Sequence, residues 1–343
     1  MRIGVLTGGG DCPGLNAVIR AIVRKAERQY GDTVLGFADG WLGVLEGEYT
    51  ELSVERMRGT LPRGGTVLGT SRMSPRMHED GIERVRATME ATGADALIVI
   101  GGEGTLSAGV GVFEAGAANV VGVPKTIDND IGLTERTFGF DTAVGIATAA
   151  IDRLHTTAES HDRVMVVEVM GRNVGHIATW AGIAGGATLT LIPEEPFDIE
   201  SVAEAIVRRH QRGRWASIVV VAEGARPKAG TLEMPEPEID QYGHVRLGGI
   251  GQAVATEIEA RTGYDTRVTV LGHIQRGGTP SALDRVLCSW YGIAAIDAVH
   301  DGDWGSMVAF RSGEMVRVRL ADAVAELKPV NPALYDVAKA FFP

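Results

Sequence analysis

Two stretches hold residue types that bind phosphate and metal and that move a proton. Ile98-Val-Ile-Gly-Gly-Glu-Gly-Thr-Leu106 and Val123-Pro-Lys-Thr-Ile-Asp-Asn-Asp130 are apolar runs that stop abruptly in glycine, hydroxyl and carboxylate residues. Gly101, Gly102 and Gly104 leave the backbone bare just where a helix can begin, near Thr105, so main-chain N–H groups and a helix N-terminus can face an anion. Asp128 and Asp130 are two residues apart; in an extended stretch both side chains point the same way, with Cα atoms at most ~7 Å apart. Two carboxylates and Glu103 beside a phosphate cradle suggest metal-assisted phosphoryl transfer. Each stretch alone is also compatible with an ordinary α/β strand end, and Asp-Asn-Asp with a turn.

These residues need elements to hold them. Residues 94–100 are apolar on both faces and predict a buried parallel strand. Residues 1–8 predict a strand, Thr7-Gly-Gly-Gly-Asp-Cys-Pro-Gly14 a turn, and residues 15–29 a helix with Leu15, Val18, Ile19, Ile22, Val23 and Ala26 at helical spacing. Strand, glycine loop and helix are the parts of a mononucleotide-binding unit, although the loop lacks the Gly-Lys-Ser/Thr of a P-loop. Strands at 34–37 and 119–123 and a helix at 78–92 continue the alternation, which predicts a parallel, doubly wound sheet. Trp41, in a turn at 39–43, either covers a base or packs. The stretch 63–72, with arginines at both ends, either grips phosphate or is solvated.

A second set of strand–helix units begins near residue 140. It comprises a helix at 140–160, a strand at 164–169 ending in Met170-Gly-Arg172, a helix at 175–186 and a strand at 188–192. A helix at 199–210 and a strand at 217–222 running into Glu223-Gly224 follow. Residues 226–247, proline-rich and without periodicity, read as a surface excursion. A helix at 248–262, a strand at 267–271, Gly272-His-Ile-Gln-Arg-Gly-Gly278 and a helix at 280–300 come next. A hairpin at 307–310 and 315–318, then helices near 321–327 and 332–341, finish the chain.

Composition narrows the function. At 343 residues the chain is too long for one ordinary core and predicts two domains. A net charge of −11 argues against nucleic acid as a partner but not against a phosphorylated ligand, which local arginines decide. Cys12 and Cys288 give neither a disulfide framework nor a zinc signature, which fits a reducing cytoplasm. No signal peptide is visible, and the uncharged run 177–193 is too short and glycine-rich for a membrane span, so no membrane role is expected.

Five motifs occur together and in order. They are Thr7-Gly-Gly-Gly-Asp-Cys-Pro-Gly-Leu-Asn16, Gly101-Gly-Glu-Gly-Thr105, Pro124-Lys-Thr-Ile-Asp-Asn-Asp130, Glu168-Val-Met-Gly-Arg172 and Arg267-Val-Thr-Val-Leu-Gly-His-Ile-Gln-Arg-Gly-Gly278. In this the chain resembles the 6-phosphofructokinase family, from about residue 3 to at least 300. The resemblance implies phosphoryl transfer to the 1-hydroxyl of fructose 6-phosphate, a step of glycolysis. It implies two doubly wound, Rossmann-like parallel-sheet domains with the active site in the cleft between them. The nucleotide and magnesium domain is expected at 1–139 plus 275–325, and the sugar domain at 140–274 plus 326–343.

The resemblance also implies residue roles. Asp128 is expected as general base, and Arg172 and Thr126 as stabilisers of the phosphoryl group in flight. Gly10, Arg72, Gly102, Glu103, Gly104 and Thr105 are expected around the donor, with Glu103 and Asp130 handling Mg²⁺. On the sugar side stand Thr126, Ile127, Asp128, Met170, Gly171, Arg172, Glu223, His273, Ile274, Gln275 and Arg276, together with Arg163 and Arg267. In the family these last two reach into a neighbouring subunit's site, which implies a homodimer or homotetramer.

Two positions bear on the donor. Many ATP-using members carry Asp at Glu103 and Gly at Lys125; pyrophosphate users resemble this chain at Lys125 but carry Asp in place of Gly104. A carboxylate at 104 would crowd and repel the α-phosphate of a nucleotide, whereas Gly leaves room. ATP is therefore the expected donor and pyrophosphate the alternative, a mixed signature that resembles the actinobacterial branch. Arg20, Arg24, Arg212 and Arg214 match part of the family's effector site, but His155, Thr188 and Trp215 depart from it. A nicotinamide dehydrogenase is disfavoured because Pro13 stands where the third glycine of G-x-G-x-x-G belongs. A non-catalytic phosphosugar-binding protein would need neither the base nor the metal carboxylates.

Overall fold

The structure is a computed structural model that describes residues 1–233 and 248–343; part of the excursion expected at 226–247 lies outside the described residues. The strands are β1 (Arg2–Thr7), β2 (Thr33–Phe37), β3 (Tyr49–Leu52), β4 (Ala96–Gly101), β5 (Val120–Pro124), β6 (Val164–Val169), β7 (Leu189–Leu191), β8 (Ser217–Ala222), β9 (Thr266–Val270), β10 (Ser306–Arg311) and β11 (Glu314–Arg319). The helices are α1 (Leu15–Lys25), α2 (Trp41–Glu46), α3 (Gly81–Thr92), α4 (Glu103–Glu114), α5 (Phe140–His161), α6 (His176–Ala184), α7 (Ile199–Gln211), α8 (Ile250–Thr262), α9 (Ala282–His300), α10 (Leu320–Ala323) and α11 (Pro332–Lys339). They form two compact units, Met1–Thr142 with Arg276–Lys328, and Ala143–Gln275 with Pro329–Pro343.

The first unit holds a seven-stranded sheet in the order β11-β10-β5-β4-β1-β2-β3. Its centre is parallel because β1, β4 and β5 are joined through helices, and every residue of β4 is buried. Its two edges are antiparallel: β11 pairs with β10 as the expected hairpin, and β3, which the sequence did not suggest, pairs with β2. β3 was not legible as a strand: Tyr49-Thr-Glu-Leu52 buries only Leu52 and has no apolar run to announce it. The parallel strands share a direction, so the loops after β1, β4 and β5 leave the same edge of the sheet, where α/β proteins bind ligands.

Local corrections have local causes. α1 ends at Lys25 and runs on as a π-helical turn over Ala26–Tyr30, shorter as an α-helix than the expected 15–29. Trp41 is 1% exposed, and its indole N–H donates to Thr105 O at 3.2 Å, so it packs rather than covers a base. The stretch 63–72 is pinned: the buried Asn16 donates to Arg63 O and Gly64 O and accepts from Val67 N–H.

Among the described residues, the second unit holds a four-stranded sheet, parallel throughout, in the order β7-β8-β6-β9. Val164, Val166, Val219 and Val221 face Ile199, Ile206, Val254 and Ile258 in one core cluster, which joins β6 and β8 to α7 and α8. Among the described residues, no helix is long and apolar enough to cross a membrane.

Candidate active site

In the first unit, the loops at the C-terminal sheet edge form two walls around bare backbone. Gly8 N–H donates to Ile100 O, Gly9 N–H to Ser71 O, and Thr70 Oγ1 to Gly9 O at 2.6 Å, which ties the glycine loop to β4 and to the 63–72 stretch. A Cβ on Gly8 would sit 2.6 Å, and on Gly101 2.4 Å, from the Thr105 Cγ2 atom, so only glycine lets that threonine close the floor. α4 then begins with Gly102 as N-cap and no capping side chain, which leaves the first-turn N–H groups of Glu103, Gly104 and Thr105 facing outward. Glu103 and Gly104 are exposed, and a Cβ at 104 would meet nothing within 4 Å. Arg276 belongs to this unit and donates to Asp11 O at 3.3 Å, beside Gly10.

Lys125 lies under this loop rather than in front of it. It is 3% exposed, its ammonium donates to Gly10 O at 2.5 Å, and burial lowers its pKa. In this position it supports the backbone of the glycine loop.

After β5 the chain turns at residues 127–128 and Asn129 takes φ 54°, so the segment is not the extended run that the spacing suggested. The intended grouping survives, because Thr126, Asp128 and Asp130 are half-buried while Lys125, Ile127 and Asn129 are buried. Thr126 Oγ1 accepts from Asp128 N–H at 3.0 Å. Ile127 is fully buried, so that position can offer a ligand only its main chain. Burial first, and the adjoining Asp128 second, push the Asp130 carboxyl up to about 6. Two crowded carboxylates of this kind suit a divalent cation, whose charge removes their repulsion. Glu103, which accepts from Ser107 Oγ at 2.8 Å, is exposed at the first turn of α4. Among the described residues, no three His, Cys, Asp or Glu side chains gather as a metal cluster.

A residue that the sequence did not suggest braces this turn. Lys328 Nζ donates to Asn129 Oδ1 at 3.0 Å, Thr134 O at 2.8 Å and Glu135 O at 3.0 Å. Its own N–H donates to Asp130 O at 2.8 Å, and Leu327 bridges Ile131. Asn129 Oδ1 also accepts from Thr137 N–H at 2.9 Å. Burial lowers Lys328 to about 8 against the pull of Asp130 and Glu135. No local pattern could have found a partner nearly two hundred residues away.

In the second unit the remaining candidates fall into two groups at opposite ends of one sheet. Met170, Gly171 and Arg172 leave the C-terminal end of β6, Glu223 that of β8, and His273 and Ile274 follow β9. Glu223 N–H donates to Val169 O at 2.8 Å and Gly224 N–H to Gly171 O at 3.0 Å, drawing two of these loops together. A Cβ on Gly224 would sit 1.9 Å from Arg172 O, so glycine is required there. His273 and Ile274 are exposed, whereas Gln275 is fully buried and donates to Gly272 O. Arg163 precedes β6 and Arg267 is the second residue of β9, at the N-terminal end. The six residues of β6 separate Arg163 from Met170 by roughly 20 Å at 3.3 Å per residue. Both arginines pair with Asp265, which lies two residues before Arg267 but about a hundred from Arg163, and which the sequence did not single out.

The model of the phosphofructokinase family matches residues 2–299. The chain belongs to the phosphofructokinase family. It is a phosphotransferase by that membership. A Streptomyces coelicolor protein named pyrophosphate–fructose 6-phosphate 1-phosphotransferase is 57% identical over 342 residues, spanning 100% of both chains. A Mycobacterium tuberculosis protein named ATP-dependent 6-phosphofructokinase is 55% identical over 343 residues, again 100% of both. The crystal structure of Pichia pastoris phosphofructokinase in the T-state superposes with a TM-score of 0.83 at 30% identity, covering 99% of this chain and 36% of that one. The names of the two sequence relatives divide on the donor, pyrophosphate in one and ATP in the other.

Proposed function

We propose that this phosphofructokinase transfers a phosphoryl group from ATP to the 1-hydroxyl of fructose 6-phosphate, giving fructose 1,6-bisphosphate and ADP, in the cytoplasm. The observation that carries the reading is the row Thr126, Asp128, Asp130. It is half-buried on a braced turn, at the same sheet edge as the open N-terminus of α4. Asp128 accepts the proton of the sugar hydroxyl as that oxygen attacks phosphorus. The first-turn N–H groups at Gly104 and Thr105, with Gly10 and Arg72, hold the donor phosphates. Glu103 and Asp130 would hold Mg²⁺, which when bound neutralises phosphate charge. Thr126 and Arg172 steady the transferred group, and a guanidinium suits this because its donor fork keeps its charge.

The sugar is held by Met170 and Glu223, and its 6-phosphate by His273 and Arg276 together with Arg163 and Arg267. The last two leave the far end of the second unit's sheet, which supports their serving the site of a neighbouring chain and an active unit of at least two chains. ATP is favoured because a nucleotide needs the open space at position 104. Pyrophosphate is the second reading, and the name of the 57% identical relative favours it.

Replacing the base tests the mechanism. Asp128→Asn is expected to lower kcat by about 10²–10⁴-fold, the usual share of a general base, while fructose 6-phosphate binding by calorimetry stays within a few-fold. Undiminished phosphorylation by this variant would remove Asp128 from the role.

A further inference from the structure

Arg163 and Arg267 come from different strands, yet one carboxylate holds both. The parallel register pairs Val164 with Thr266 and Met165 with Arg267, which sets the residue before β6 beside the residue before β9. Val164 N–H donates to Asp265 O at 3.0 Å, fixing that residue's backbone. The carboxylate then divides its two oxygens. Asp265 Oδ2 accepts from Arg163 Nε at 2.5 Å, and Oδ1 accepts from Arg267 Nη1 at 2.5 Å. Arg267 Nη1 also donates to Thr266 O at 3.0 Å. All three side chains keep contact with water, at 28% exposure for Arg163, 37% for Asp265 and 52% for Arg267.

We infer that Asp265 is a positioning residue for the sugar-phosphate site: it sets the spacing and direction of Arg163 and Arg267 before substrate arrives. The inference rests on the reading of those two arginines as ligands of the 6-phosphate. Two guanidinium groups side by side repel, and each loses rotamer freedom when a phosphate gathers them. A carboxylate between them supplies the counter-charge and meets that ordering cost in advance, which improves affinity. A guanidinium has five donors, so the one given to Asp265 leaves enough for a phosphate. The 6-phosphate takes no part in the reaction, so the effect belongs in substrate affinity and not in turnover. Exposed ion pairs contribute little to stability, so the melting temperature should not follow.

Fructose 6-phosphate saturation of Asp265→Ala, Asp265→Glu, Arg163→Ala and Arg267→Ala tests this. Asp265→Ala is expected to raise the half-saturating concentration about tenfold, the scale of ordering two long side chains on binding, with kcat within about twofold and the melting temperature unchanged. Asp265→Glu, which keeps both oxygens, recovers most of the loss. Unchanged or tighter half-saturation in Asp265→Ala, alongside weakened binding in both arginine variants, would overturn the inference, because Asp265 would then be idle or a competitor of the phosphate. Unweakened binding in the arginine variants would instead overturn the underlying assignment of the phosphate site.

Discussion

Burial and a neighbouring charge together constrain Asp130. Its carboxyl stands at about 6, against an ordinary value of 3.8, because burial and the Asp128 charge disfavour ionisation. Between those two values the folded protein holds a proton that the unfolded chain releases, so the penalty is present above about pH 6 and is relieved as pH falls through that window. Asp130→Asn is therefore expected to raise the melting temperature at pH 7.5, by a margin that shrinks toward pH 5. The native enzyme should lose activity as pH drops through about 6, and added Mg²⁺ should move that limb lower by favouring the carboxylate. A pH–rate profile at two magnesium concentrations checks this; an acid limb that ignores magnesium would separate Asp130 from the metal. The spacing of residues 126, 128 and 130 was legible because carboxylates two apart are a local pattern. That Lys125 points into the protein was not, since an isolated lysine carries no sign of burial.

At the scale of elements, the turn that bears Asp128 depends on a strap from the end of the first unit. Lys328 holds Asn129 and two carbonyls of the same loop with its three ammonium donors. Lys328→Met takes the ammonium donor from the buried Thr134 O, leaves Asn129 Oδ1 to its bonds from Thr137, and leaves Glu135 O, on an exposed residue, to water; a buried group left without a partner costs about 1–3 kcal/mol. The variant is expected to be less stable by about 1–3 kcal/mol in urea unfolding, and to lose kcat more than fructose 6-phosphate affinity. Unchanged stability would contradict the strap. The strands that carry the site were readable, because β4, β5, β6 and β8 are mostly apolar, with Glu168 and Ser217 the exceptions, and run into glycine or charged residues. Long-range bracing and the polar edge strand β3 left no such trace. The two-residue gap between Asp265 and Arg267 was visible, but only the β6–β9 register reveals why it matters.

For the whole molecule, the sequence placed domain divisions after residues 139 and 274, and the compact units divide after Thr142 and Gln275. Residues at opposite ends of the second unit's sheet are proposed for one kind of site, and on that proposal a second chain supplies Arg163 and Arg267. Co-expression of Asp128→Asn with an Arg163→Ala, Arg267→Ala double variant tests that requirement. Each homo-oligomer is expected to be defective, whereas hybrids regain native-affinity turnover in the fraction of sites built from both intact halves. No recovery in purified hybrids would confine each site to one chain. The most direct test of the account is formation of fructose 1,6-bisphosphate from fructose 6-phosphate and Mg²⁺, with ATP or pyrophosphate as the sole donor. The account predicts turnover with ATP, through the open space at Gly104. Turnover with pyrophosphate alone would contradict the steric argument, and turnover with neither would contradict the proposed reaction itself.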